Sequence, residues 1–217
     1  MLVGVTATLN QPEYASIIDR LFANAQLDAE RRQGISRPTE YAVEDRGKAF
    51  EHVYLSVAPE SGRLLYSLVR AVKPTTIVEY GMSYGISTLH LAAAVRDNGT
   101  GHIITTEMST HKIAAARATF AEAGVSDAIT ILEGDARETL KTVSGPVQFV
   151  LLDGWPDLDL TVIKILEPVL ASGALVLGDN VNLDPNHDYL NYVHAPENGY
   201  VSTAVPLDKG LDLAVRV

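Results

Sequence analysis

Between Thr76 and Asp179 short β-branched and aliphatic runs alternate with longer stretches of helical period, and this limits the fold more than any other feature of the chain. The spacing predicts strands over Thr76–Tyr80, His102–Glu107, Ala128–Leu132, Val147–Asp153 and Ala174–Asp179. Helices are expected between them, over Ile86–Asp97, His111–Ala123, Ala136–Thr142 and Leu160–Leu170. Each such unit returns its strand parallel to the one before, so the runs build a mostly parallel sheet covered by helices on both faces. The tail changes character: Tyr200–Pro206 and Leu211–Val217 are strand-like runs joined by Leu207-Asp208-Lys209-Gly210, which reads as a hairpin. The expectation is a doubly wound α/β sheet of seven strands that ends in an antiparallel hairpin.

Ahead of the sheet, Tyr14, Ile17, Ile18, Leu21, Phe22 and Ala25 recur at helical spacing within Pro12–Arg32, with Pro12 suited to a first turn. Gln33–Lys48 is polar, contains Gly34, Pro38 and Gly47 and keeps no period, which reads as a loop able to serve as a lid. Pro59 opens a further helix carrying Leu64, Leu65, Leu68, Val69 and Val72, and Lys73-Pro74 ends it. Residues 1–54 are thus expected to form a helical extension with a lid, and 55–217 the α/β domain.

A formal charge of −10 with no basic stripe argues against a nucleic-acid partner, because phosphate binding depends on clustered Lys and Arg. The chain has no cysteine, so a metal would sit on carboxylate, amide or imidazole groups. No basic-then-apolar leader opens it and no 18 apolar residues run together, which predicts a soluble cytoplasmic protein with no membrane partner. The acidic surface and the apolar N-terminal helix are compatible with a homodimer.

The turn after the first strand, Glu79-Tyr80-Gly81-Met82-Ser83-Tyr84-Gly85-Ile86-Ser87, lies where ligands bind in open α/β sheets. Its G-x-x-x-G spacing is neither the G-x-G-x-x-G of dinucleotide binding nor a P-loop, and no lysine follows, so pyrophosphate is disfavoured. Taken alone, Gly81 and Gly85 also admit a plain tight turn as the lesser reading. Glu107 ends the second strand, where a carboxylate can accept hydrogen bonds from both ribose hydroxyls of an adenosine, and Asp135, after Gly134, is set to meet an adenine amino group. Either acid alone is an ordinary cap or strand-end residue; three signals after three successive strands point to an adenosine-bearing cofactor.

Through E-Y-G-M-S-Y-G-I-S, T-T-E-M, I-L-E-G-D-A, L-L-D-G-W and G-D-N-V, in that order from about Leu55 to the C-terminus, the chain resembles the Rossmann-like class I S-adenosylmethionine-dependent methyltransferases. The catechol and caffeoyl-CoA O-methyltransferase type is the most similar. The resemblance implies that Glu79, Gly81, Ser83 and Ser87 surround the methionine part of the cofactor, with Gly85 in the same loop, and that Val57 touches it. It also implies that Glu107, followed by Met108, binds ribose and that Gly134 and Asp135 lie near adenine.

Asp153 ends the fourth strand and Asp179-Asn180 the fifth, on the sheet edge that carries the cofactor loop, so two carboxylates and an amide converge there. All-oxygen ligands suit a hard cation such as Mg²⁺, and the resembling family holds its metal at these three positions. Asp153 would then serve cofactor, metal and catalysis together, and the acceptor would be a small, catechol-like molecule that chelates the metal. Trp155, Asn180, His187 and Tyr189 are the expected substrate contacts. The chain departs from the family at Pro156, which follows Trp155 where a lysine base is common, so His187 is the candidate base. Three readings stay open on the sequence: a metal-assisted O-methyltransferase, a metal-independent N- or O-methyltransferase, and a non-catalytic protein that binds S-adenosylmethionine.

Overall fold

The computed structural model describes residues 6–183 and 188–217. Among the described residues, four α-helices precede the sheet: α1 (Pro12–Ala25), α2 (Asp28–Arg31), α3 (Val43–Ala49) and α4 (Pro59–Val72). The alternating region follows as β1 (Thr76–Tyr80), α5 (Ile86–Asn98), β2 (His102–Glu107), α6 (Thr110–Glu122), β3 (Ile129–Glu133), α7 (Ala136–Thr139), β4 (Val147–Leu152), α8 (Asp159–Leu166) and β5 (Leu170–Asp179). A short α9 (Asp188–Val193) leads into the hairpin β6 (Tyr200–Val205) and β7 (Leu211–Arg216).

The seven strands stand in the order β3-β2-β1-β4-β5-β7-β6. β1 to β5 pair in parallel, and β7 runs antiparallel between β5 and β6. This is the seven-stranded, mostly parallel architecture with a terminal hairpin that the alternation predicts. Chain order reverses between β1 and β4, which opens a crevice at their carboxyl ends. One face buries Ile77, Ile103 and Leu151 under α1, α4, α5 and α6; the other buries Val78, Val150 and Val176 under α7, α8 and α9.

Several boundaries differ from the sequence reading. The Pro12–Arg32 helix breaks after Ala25, and Asp28 uses its carboxylate to accept the Tyr54 and Leu55 N–H groups, both at 2.9 Å. The Gln33–Lys48 segment is not a plain loop: it contains a 3₁₀ turn at Pro38–Glu40 and all but the last residue of α3. Gly47 weakens the helical signal there, yet a Cβ at that position would collide with the Met108 side chain, so close packing on the sheet edge requires it. The helix read as Leu160–Leu170 stops at Leu166, because Pro168 permits only a 3₁₀ turn before β5. Tyr14 donates its hydroxyl to the Leu89 carbonyl at 2.7 Å, and with Ile17, Ile18 and Leu21 it joins the main core. The apolar face of α1 is therefore spent inside the chain. Among the described residues no helix is long and apolar enough to cross a membrane.

Candidate functional site

β1 delivers the chain to the crevice, and Gly81 turns it at φ +95°; a Cβ there would meet the Asp153 carbonyl and the Gly154 Cα. The two strand ends are pinned by the Asp153 N–H, which donates to the Tyr80 carbonyl at 2.9 Å. Gly85 caps α5 at φ +85°, and its missing side chain leaves room for the Phe120 ring. The crevice opens into a cavity of about 530 Å³.

Glu107 lies on one side of that cavity. Its Oε2 accepts the Ser83 N–H at 3.0 Å, and its Oε1 accepts the Met108 and Ser109 N–H groups, both at 2.8 Å. Three amides thus aim the carboxylate, and Oε2 keeps a lone pair for a ligand hydroxyl. Met108, Gly134 and Asp135 continue this wall. Asp135 is also the N-cap of α7, accepting the Arg137 N–H at 2.8 Å, and the Arg137 guanidinium at 2.6 Å holds its carboxyl below the usual range. Arg137 reaches Glu44 of α3 as well, at 3.0 Å, so this end of the cavity is tied to the segment above it.

Val57, Ser83, Ser87 and Asp153 line a small adjoining cleft. Ser83, held at φ +49°, donates its hydroxyl to the Tyr54 carbonyl at 2.5 Å. Glu79 stands apart from these. Its carboxylate is fully buried, Oε2 accepts the Thr88 and Thr105 hydroxyls at 2.6 and 2.5 Å, and Oε1 is buried without a hydrogen bond. It lies behind the loop rather than on the cavity wall, and burial pushes its carboxyl up despite the hydroxyl donors.

At the opposite end Asp153, Asp179 and Asn180 converge. The Asn180 amide donates to Asp179 Oδ2 at 3.0 Å and stands 3.5 Å from Asp153 Oδ1, with Asn180 itself at φ +61°. Burial, followed by the neighbouring Asp179, drives the Asp153 carboxyl up; burial likewise raises Asp179. Asp179 Oδ1 is buried and accepts no hydrogen bond among the described residues. Two crowded carboxylates, one with an oxygen left over, beside an amide oxygen that can rotate inward fit a hard, oxygen-seeking cation. Among the described residues no three His, Asp or Glu side chains gather into a metal site.

Trp155 and Pro156 wall this end. The Trp155 N–H donates to the Tyr80 hydroxyl at 3.1 Å, and its ring meets Phe50 edge-on with centroids 5.3 Å apart. Arg46 of α3 lies over the same ring at 5.6 Å and grips Asp157 through both guanidinium ends, at 2.8 and 2.9 Å. Arg46, Phe50 and Leu55 are cavity residues that the sequence reading missed, because their segment carries no sustained period.

Tyr189 is a correction: rather than facing a substrate it is fully buried, on α9, packed on Gly178 of β5 in the second core. Its burial follows from the helical register of α9, which turns Tyr189 and Val193 to the same side. His187 lies outside the described residues. His194 is committed to buried Asp212 at 2.9 Å, and Lys164 covers the Tyr192 ring at 4.8 Å, away from the cavity.

Residues 78–181 match the family described as a methyltransferase domain. Catechol O-methyltransferase B of Danio rerio is 32% identical over 146 residues, 64% of this chain and 54% of the relative. Catechol O-methyltransferase of Mycobacterium tuberculosis is 28% identical over 128 residues, 58% of this chain and 57% of the relative. The chain thus spans a little over half the length of these curated relatives. Among solved structures, the Bacillus cereus O-methyltransferase in complex with SAH aligns over 100% of this chain and 94% of its own, with TM-score 0.67 and 19% identity. An O-methyltransferase of Streptomyces achromogenes in complex with SAM aligns over 91% and 98%, with TM-score 0.70 and 22% identity.

Proposed function

We propose that this chain, which resembles a methyltransferase domain and catechol O-methyltransferases over part of its length, transfers a methyl group from S-adenosylmethionine to a hydroxyl of a small aromatic molecule, with a divalent cation helping to position the acceptor. The observation that carries this reading is one cavity with an amide-held carboxylate, Glu107, at one end and Asp153, Asp179 and Asn180 at the other. The adenosine would lie along Glu107, Met108, Gly134 and Asp135, and the methionine part along Ser83, Ser87 and Val57. Residues 55–217 would form the catalytic domain, and 1–54 a helical extension with a lid.

Methyl transfer from a sulfonium to oxygen is an in-line displacement, in which the acceptor oxygen forms a bond to carbon as the carbon–sulfur bond breaks. A cation held by Asp153, Asp179 and Asn180 would supply Lewis acidity that makes the acceptor hydroxyl more acidic. The protein's own part is geometric: Gly81 brings the cofactor loop hard against the end of β4, which would set a cofactor on the loop close to an acceptor at Asp153. Trp155, Phe50 and the stem of Arg46 give the acceptor ring a flat apolar wall and keep water out. The proton is assigned to His187, in the segment that follows Asn180 and Val181, because Pro156 cannot take it.

Methyl transfer to a panel of catechols and monophenols, with Mg²⁺ and with EDTA, tests the reading. Transfer to catechols that stops on chelation supports it. Full transfer in EDTA removes the cation, and no transfer to any hydroxyl by a protein that binds the cofactor removes the O-methyltransferase reading.

A further inference from the structure

Lys112, in the first turn of α6, lines the cavity together with Glu107 yet is only 4% exposed. Its backbone N–H takes the Ser109 cap at 3.4 Å, but its ammonium makes no hydrogen bond or ion pair among the described residues. Nζ stands 5.8 Å from the centre of the Tyr84 ring, on the cofactor loop. Burial pushes the ammonium pKa down, Glu107 and Asp28 attract the charge, and Arg32 opposes them. A charge largely withdrawn from water, with no hydrogen-bond partner among the described residues, costs stability, whereas a methionine in the same place would bury its length with little penalty. Such a cation is explained by a ligand that completes its hydrogen bonding.

The chemistry of that ligand follows from the neighbour. A ribose hydroxyl carries one O–H donor and two acceptor lone pairs, and a carboxylate can satisfy only the donor. Glu107 offers acceptors alone; an ammonium beside it offers donors alone. We propose that Lys112 is a cofactor-positioning residue that donates to a ribose hydroxyl oxygen while Glu107 accepts the hydroxyl hydrogens, so that the two side chains clamp the sugar from complementary sides. This rests on the S-adenosylmethionine reading and adds to it a residue that the sequence motifs do not mark. The clamp discriminates: a sugar lacking its hydroxyls leaves the Lys112 ammonium without an acceptor, which penalises deoxy ligands more than lost contact area would.

The test uses the full chain, Lys112→Met and Lys112→Arg, titrated calorimetrically with S-adenosylhomocysteine, with 5′-methylthioadenosine, which has the ribose and no carboxylate, and with 2′,3′-dideoxyadenosine. Thermal unfolding of the ligand-free proteins runs in parallel. Lys112→Met should bind the first two ligands about tenfold or more weakly, the loss expected for one hydrogen bond to a charged group. It should bind the dideoxy nucleoside as wild type does, and unfold at a higher temperature than wild type. Lys112→Arg should recover part of the affinity. Unchanged affinity, a loss confined to S-adenosylhomocysteine, or a lower unfolding temperature with affinity intact would each overturn the clamp. A wild-type protein that fails to bind S-adenosylhomocysteine overturns the underlying reading as well, and does so before any substitution is made.

Discussion

Asp157→Ala should destabilise the protein more than loss of the arginine that Asp157 holds. The pair is asymmetric: the Arg46 side chain is 5% exposed and the Asp157 side chain 39%. Arg46 Nε is also buried without a hydrogen bond, so the two contacts at 2.8 and 2.9 Å carry nearly all of its compensation. After Asp157→Ala the guanidinium stays buried and loses both acceptors. Breaking a fully buried pair costs about 3–5 kcal/mol; with one partner open to water we expect about 2 kcal/mol. After Arg46→Met the carboxylate is left where water reaches it and the methionine keeps packing on Trp155, so the cost should be at most about 1 kcal/mol. At about 3 °C per kcal/mol for a chain of this size, thermal unfolding should fall by roughly 6 °C for Asp157→Ala and about 3 °C or less for Arg46→Met. The double variant should match Arg46→Met. Equal losses, or a larger loss for Arg46→Met, would refute the claim that the burial of Arg46 governs the pair.

Gly81→Ala should lower the unfolding temperature by roughly 9 °C, because a side chain at φ +95° is strained and its Cβ would strike the Asp153 carbonyl, at a combined cost of about 3 kcal/mol; a calorimetric scan reads this directly. Glu79→Gln should stabilise the protein at neutral pH. The Glu79 carboxyl is raised in the folded state, so its favourable contribution is present below its ordinary value of 4.5 and is lost as pH rises through the folded value. Denaturant midpoints of variant and wild type should therefore converge on acidification and separate above it; a constant gap would contradict this origin. Asp179→Asn should raise the unfolding temperature of the metal-free protein, because it removes a buried carboxyl crowded against Asp153, and should abolish any further rise on adding Mg²⁺.

The strands were legible to within a few residues because burial on both faces gives them short apolar runs such as Ile77-Val78, Ile103-Ile104 and Phe149-Val150-Leu151-Leu152. Positions at strand ends were legible too, since a parallel sheet delivers Gly81, Glu107, Asp153 and Asp179 to one edge whatever the helices do. Side-chain direction was not. Glu79 and Glu107 both sit at the ends of runs, yet Thr88 and Thr105 claim the first while three amides turn the second toward the cavity. Tyr189 looked polar and loop-borne, and the rotation of α9 buried it. α3 escaped because its signal is contact with another element: Gly47 fits Met108 and Arg46 fits Asp157, neither of which is near in sequence.

The central claim is that the cavity beside Glu107 holds S-adenosylmethionine. Calorimetric titration of S-adenosylmethionine into wild type and Glu107→Ala tests it most directly, with circular dichroism verifying that the variant is folded. One site per chain in wild type, and an affinity at least tenfold weaker in the variant, is the expected result, since the variant loses the carboxylate proposed to accept from the ribose. Absence of binding to wild type, or equal affinity in the two proteins, would contradict the account.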